Sequence, residues 1–304
     1  MGVKVIDNLA QIMVSPFKGS EDSIIRSKGG PQMSRITISR QVGSLGTEIA
    51  RGVAEKLNYE YVDKEKIGKI LADFGFRGPE VEEFDEKKPP FWGSLSIQRT
   101  RFLHSIQAFI YDVAREGQVV IVGRGGQVLL KNLPGTLHVR IIAPFDLRVK
   151  RLVESERVDE KHAVRMLRQS DHDSAGYIHS FFNADWNDAS LYDLLINTEK
   201  LSPATGVQLI IDSVHSGEIQ EGVEEGKERL AELALVQKAE AKLVAILGSD
   251  LHHVEIRAEK GVVLLRGAVT SPVLKEECER TVAALEGVER VENHLSVVQY
   301  YQYA

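Results

Sequence analysis

The sequence predicts two units, an α/β domain built on a parallel sheet and a smaller α+β unit behind it. Two patterns in the 304 residues carry this. Short unbroken apolar runs alternate with stretches of helical periodicity between residues 36 and 215. Unbroken runs mark strands buried on both faces, as in a parallel sheet covered by helices. Beyond residue 250 the runs alternate apolar with polar instead, the mark of half-buried strands.

In chain order, residues 1–33 hold a short amphipathic piece (Val3, Ile6, Leu9, Ile12). The connector Ser27-Lys-Gly-Gly-Pro31 follows, and the whole reads as a flexible extension. Residues 36–38 are a β-branched strand. Gly43 and Gly46 make a turn, and Glu48, Ile49, Ala50, Val53, Ala54 and Leu57 give a helical stripe over 47–58. A strand over 59–62 precedes helices over 64–74 and 97–116. The buried strand 119–122 ends in Gly123-Arg-Gly-Gly126, and the strand 137–142 ends in Ala143-Pro144. Helices over 145–155 and 158–181 lead to a strand over 192–196, ended by Asn197-Thr198, and to a helix over 203–215. Functional groups are expected at the carboxyl ends of these strands.

Glu and Ala rise from residue 217, and 218–247 reads as one or two helices, with 217–235 a helical linker between a first domain, 34–216, and a second, 236–304. The second has strands over 253–258, 262–269 and 291–298 and a helix over 272–285, an αββαβ order on an antiparallel or mixed sheet.

Hydrophobic residues make up 43% of the chain and charged residues 27%, as in ordinary globular domains. A net charge of -6 argues against coating nucleic acid. The single cysteine, Cys278, excludes an internal disulfide and a Cys-rich metal site, and reads as a packing residue. No apolar run approaches the roughly 20 residues of a membrane span, and the amino terminus lacks a signal-peptide core, so a cytoplasmic protein is expected. His252-His253 has no metal-ligand partners nearby in sequence, and Trp92 and Trp186 read as packing anchors.

Strand, glycine turn and helix aim backbone N–H groups and a helix N-terminus at a phosphate. The segment Gly43, Ser44, Leu45, Gly46, Thr47, Glu48 is therefore the candidate phosphate loop. A standard loop of this type carries a lysine after its last glycine, and here that position is Thr47. Thr47 can ligand Mg²⁺ or cap the helix. Arg40, at the strand exit, can supply the missing cation. Arg124 leaves a buried strand inside a glycine cluster, and its planar fork suits a monophosphate.

Taken together, residues 34–215 resemble the cytidylate kinase-like family of P-loop nucleoside monophosphate kinases. The matching pieces are Ile36-Thr-Ile-Ser-Arg-Gln-Val-Gly-Ser-Leu-Gly-Thr-Glu-Ile-Ala50, Tyr61-Val-Asp-Lys-Glu65, Val120-Ile-Val-Gly-Arg-Gly125, and Asp185-Trp through Tyr192-Asp-Leu-Leu-Ile-Asn-Thr198. The resemblance implies a P-loop kinase three-layer α/β/α fold with a parallel five-stranded sheet. It implies transfer of the ATP γ-phosphoryl group, with Mg²⁺, to CMP or dCMP. Asp63 and Lys64 then begin the acceptor site with Arg124. Arg148, Arg151, Arg157, Arg165 and Arg168 fall in the family's lid, which makes Arg148, Arg151 and Arg168 catalytic candidates beside Arg40. The chain departs from the family near Ser174 and Ala175, small residues where further lid arginines are expected; Asp171 and Asp173 are left to organise Mg²⁺ or the lid. With the P-loop lysine also absent, a non-catalytic nucleotide sensor is the competing class.

Residues 236–300 resemble a BON domain through Val254-Glu-Ile256, Gly261-Val-Val-Leu-Leu-Arg-Gly-Ala-Val269 and Gly287-Val-Glu-Arg-Val-Glu-Asn293. The resemblance implies a non-catalytic module for a protein or phospholipid partner.

Overall fold

The structure is a computed structural model, and it describes residues 34–73 and 97–298. The expected extension over 1–33 and Trp92 lie outside the described residues.

Strands β1 (Arg35–Arg40), β2 (Glu60–Val62), β3 (Val119–Val122), β4 (Thr136–Ile142) and β5 (Leu194–Asn197) form one sheet in the order β2-β3-β1-β4-β5. Every neighbouring pair is parallel. On one face Ile36, Ile38, Val120, Val122, Leu137, Val139 and Ile141 pack with α1 (Gly46–Leu57) and with Val207, Ile210 and Val214 of α7 (Pro203–Val214). On the other, Val62, Val119 and Ile121 meet Ile67 of α2 (Lys64–Asp73) and Phe102, Ile106 and Ile110 of α3 (Ile97–Glu116). The result is the expected three-layer P-loop kinase fold.

The two central strands differ from an all-apolar reading. β1 and β4 alternate, and their second face carries Arg35, Thr37, Ser39, Thr136, His138 and Arg140, all buried. Buried polar side chains persist where they bond one another. Thr37 pairs with His138 and Ser39 with Arg140 in strand register. Both pairs are hydrogen-bonded, Thr37 Oγ1 to His138 Nδ1 at 2.8 Å and Arg140 Nη1 to Ser39 Oγ at 3.1 Å.

After β3 a short helix α4 (Gly126–Leu129) leads towards β4. Helices α5 (Phe145–Glu156) and α6 (Glu160–Phe182) follow β4 and pack on each other through Val149, Leu152, Ala163 and Leu167. Asp159 caps α6 by accepting from the His162 N–H.

Beyond α8 (Gly217–Glu221), helix α9 (Val223–Leu247) runs unbroken for 25 residues. Its Leu230 and Ala234 belong to the core around α3, whereas Ala239, Leu243, Val244 and Leu247 belong to the second unit. That unit has β6 (Val254–Glu259) antiparallel to β7 (Val262–Val269), with β8 (Arg290–Val297) parallel to β7, a mixed sheet. Helix α10 (Pro272–Ala283) is capped by Ser271, which accepts from the Leu274 N–H, and it buries Cys278. Burial raises the Cys278 thiol pKa to about 11, which leaves it an unreactive packing residue as expected. His252 and His253 sit exposed just before β6 with their rings 3.8 Å apart. No helix among the described residues is long and apolar enough to cross a membrane.

Candidate active site

The phosphate loop begins where β1 ends. Leu45 takes a left-handed conformation (φ 60°) as the residue before α1, and no side chain caps the helix. Thr47 is therefore inside the first turn and exposed, which corrects the reading of it as an N-cap. Gly46 is required sterically, because a Cβ there would stand 2.4 Å from the Arg40 Cβ. Arg40 thus packs against the start of α1, the helix end that attracts anions.

The arginines of α5 also come to this loop, and they hold it in place. Arg148 is buried and forks onto Asp171, Nη1 to Oδ1 at 3.0 Å and Nη2 to Oδ2 at 2.7 Å, while Nη1 also reaches the Val42 carbonyl at 3.3 Å. Arg151 Nη1 donates to the Gly43 carbonyl at 3.1 Å and to Thr198 Oγ1 at 3.0 Å, and its Nη2 donates to the Thr198 carbonyl at 2.8 Å. Thr198 Oγ1 in turn donates to the Ser44 carbonyl at 2.9 Å. The carbonyls of Val42, Gly43 and Ser44 are therefore tied to α5 and the end of β5. Thr198 and Asp171 enter this arrangement through contacts far apart in sequence. Arg168 is exposed on α6, with its guanidinium 5.9 Å from the Phe145 ring centre. Asp173 is buried and accepts from Gln169 at 2.6 Å.

A second feature opens beside the loop. A small cleft is lined by residues that include Ser39, Arg40, Arg124, Gln127, Tyr177 and Trp186. Arg124 follows β3 with φ 55°, is 4% exposed, and places its guanidinium 5.9 Å from the Tyr177 ring centre. Trp186 packs with Tyr177 and Ile178, so it is both a packing anchor and a wall of the cleft. Asp63 lies at the end of β2, where Oδ1 accepts from the Glu65 and Lys66 N–H groups at 3.0 and 3.1 Å, capping α2. Lys64 is exposed at the first position of that helix. Neither lines the cleft that Arg40 and Arg124 share.

Sequence reasoning missed Arg140. It is 3% exposed, and its guanidinium lies 4.0 Å from the Trp186 ring centre, directly behind the cleft. The signal available was the alternation of β4, with an arginine on its otherwise inward polar face.

A parallel sheet in this order, with a glycine loop opening α1, defines an α/β phosphate-binding kinase fold. The model of the cytidylate kinase-like family matches residues 35–200, more than half of the chain, and the chain belongs to that family. A BON domain model matches residues 235–299. Curated relatives named cytidylate kinase include one from Pyrococcus horikoshii, 29% identical over 168 residues, 55% of this chain and 81% of that protein. One from Methanocaldococcus jannaschii is 28% identical over 173 residues, covering 54% and 88%. A solved structure of an uncharacterized protein from Eubacterium ventriosum is 25% identical with a TM-score of 0.49, covering 60% of this chain and 99% of that one.

Proposed function

We propose that the protein transfers the γ-phosphoryl group of ATP to a nucleoside monophosphate, with CMP or dCMP as acceptor. The observation that carries this reading is one cleft, at the carboxyl ends of β1 and β3, holding both Arg40 and Arg124 beside the phosphate loop. Phosphoryl transfer is mostly positioning and neutralisation of spread negative charge. In this reading the loop over 43–48 holds the ATP phosphates, Arg124 forks onto the acceptor phosphate, and Arg40 stands between them. Asp63 and Lys64 flank the acceptor side, and Arg168 reaches in from the lid. The names of the curated relatives favour a pyrimidine acceptor.

Mg²⁺ fits as an ion that arrives with the nucleotide. Among the described residues no group of three His, Cys, Asp or Glu side chains can hold a metal, whereas Thr47 offers one exposed hard oxygen at the loop. Thr47 would hold such an ion at the loop, where it would supply neutralisation of charge on the transferred group.

A second reading, a nucleotide sensor without turnover, draws on the commitment of Arg148 and Arg151 to loop atoms, Asp171 and Thr198. Arginine clamps on the transferred group are worth roughly 10³–10⁵ in rate, so their diversion matters. In both readings residues 236–304 form a docking module for a protein or phospholipid partner. A coupled ADP-release assay over all nucleoside monophosphates decides between them. Turnover with CMP or dCMP supports the kinase; nucleotide binding by calorimetry with no turnover selects the sensor; no binding of ATP or CMP at millimolar concentration overturns both.

A further inference from the structure

The buried polar face of β1 and β4 ends at the cleft. Its last pair is Ser39 and Arg140, in register and bonded at 3.1 Å. Arg140 also donates to Tyr192 Oη at 3.1 Å and to Asn187 Oδ1 at 3.0 Å. All three acceptors are neutral, and no ion pair among the described residues includes Arg140. A buried cation without a counter-charge is costly unless an anion comes to it.

Ser39 transmits that demand. A hydroxyl has two acceptor lone pairs and one proton. Ser39 Oγ accepts from Arg140 Nη1 and from Trp186 Nε1, the latter at 2.9 Å, so both lone pairs are used. The nearest other hydroxyl, Tyr192 Oη, stands 3.4 Å away as a donor towards Ser39 Oγ, a separation beyond the ordinary O–H···O range; it also donates to the Trp186 carbonyl at 2.9 Å and accepts from Arg140. Ser39 lines the cleft, so its proton is left to a ligand there.

We propose that Ser39 is an obligate hydrogen-bond donor to an oxyanion bound in the cleft, the phosphate of a monophosphate ester, and that Arg140 and Trp186 are the positioning pair that fixes this polarity. The proposal rests on the acceptor-site reading of the cleft. It makes Ser39 and Arg140 determinants of phosphate over neutral nucleoside, whereas the aromatic walls Tyr177 and Trp186 contact either.

The test compares CMP with cytidine by NMR titration, which reads millimolar binding, on the full chain. Ser39→Ala is expected to weaken CMP about tenfold or more, the value of a charge-assisted hydrogen bond, and to leave cytidine within about twofold. Arg140→Met is expected to give the same selective loss, and Ser39→Thr, which keeps the hydroxyl, to retain CMP affinity. Should Ser39→Ala fail to fold, Ser39→Cys keeps the volume and a weak acceptor with a poor donor, and the same selectivity is read on it. Equal weakening of both ligands, or unchanged CMP binding, overturns the assignment of Ser39. A wild-type protein that binds neither ligand overturns the acceptor-site reading itself.

Discussion

Arg124 is a guanidinium carried on a left-handed backbone, at φ 55° and nearly buried. That conformation costs a non-glycine residue about 1–2 kcal/mol, so its retention points to the side chain's use. Replacing it separates the two contributions. Arg124→Ala and Arg124→Gly are both expected to lose about 2–4 kcal/mol of CMP binding, the worth of a bidentate charged contact. The glycine variant should melt higher than the alanine variant because it relieves the backbone. Calorimetry and thermal melting on the pair check this, and normal CMP binding by either would make Arg124 structural. Thr198 acts on the phosphate loop instead. Its hydroxyl joins Arg151 to the Ser44 carbonyl, and Thr198→Val keeps the volume while removing that bridge. The variant is expected to lose about 1 kcal/mol of stability and to weaken ATP binding more than CMP binding. Equal effects on the two ligands would show that the bridge does not serve the loop.

Helix α9 approaches the first domain without space for a side chain at one point. A Cβ on Gly226 would lie 2.0 Å from the Pro134 carbonyl oxygen and 2.9 Å from Arg35 Nη1. Arg35, fully buried, donates to the Val223 carbonyl at 3.3 Å from both terminal nitrogens, so strand β1 itself fastens the start of α9. Gly226→Ala must displace backbone, and a loss of about 1–3 kcal/mol is expected, read as a lowered melting temperature. Further along, His104 of α3 meets α9 through Nδ1, 2.8 Å from Gln237 Oε1 and 3.0 Å from Glu240 Oε2. Burial opposes protonation there, but the hydrogen bonds to Glu240 and Gln237 outweigh it and raise the His104 pKa. The folded state therefore holds its proton above the unfolded value of about 6.5. This stabilisation is complete below that pH and is lost as pH rises through the raised folded value. The difference in melting temperature between wild type and His104→Ala should shrink from about pH 6.5 upward. A constant difference would show that the contact is packing alone.

At the scale of the molecule, the first domain does not end where its last sheet strand and following helix end. Leu230 and Ala234 fill the core against Phe102, Ile106 and Ile110, and Leu230 is fully buried. Removing a buried leucine costs about 1.5–3 kcal/mol before any cavity is counted. A fragment spanning 34–216 is expected to melt well below one spanning 34–237, although both contain every residue of the loop and cleft. Equal melting temperatures would mean that α9 merely rests on the first domain.

Runs dominated by β-branched and apolar residues mark buried strands, and a glycine turn after such a run marks where a backbone can receive a phosphate. Residues 119–122, 137–142 and the loop over 43–48 were therefore legible in the sequence, as were the order of elements and both family resemblances. Local periodicity likewise marked α5, α6 and the αββαβ unit. Side-chain pairing across strands and helices was not legible, because it depends on register and packing between residues some hundred positions apart. Arg148 and Arg151 read as lid arginines, and only the fold turned them onto Asp171, Thr198 and loop carbonyls. Ser39 and Arg140 read as ordinary strand residues until parallel register set them side by side behind Trp186. Composition announced helix over 218–247, and only tertiary packing decided that one helix there serves two cores, because burial is a property of the neighbours a helix face meets.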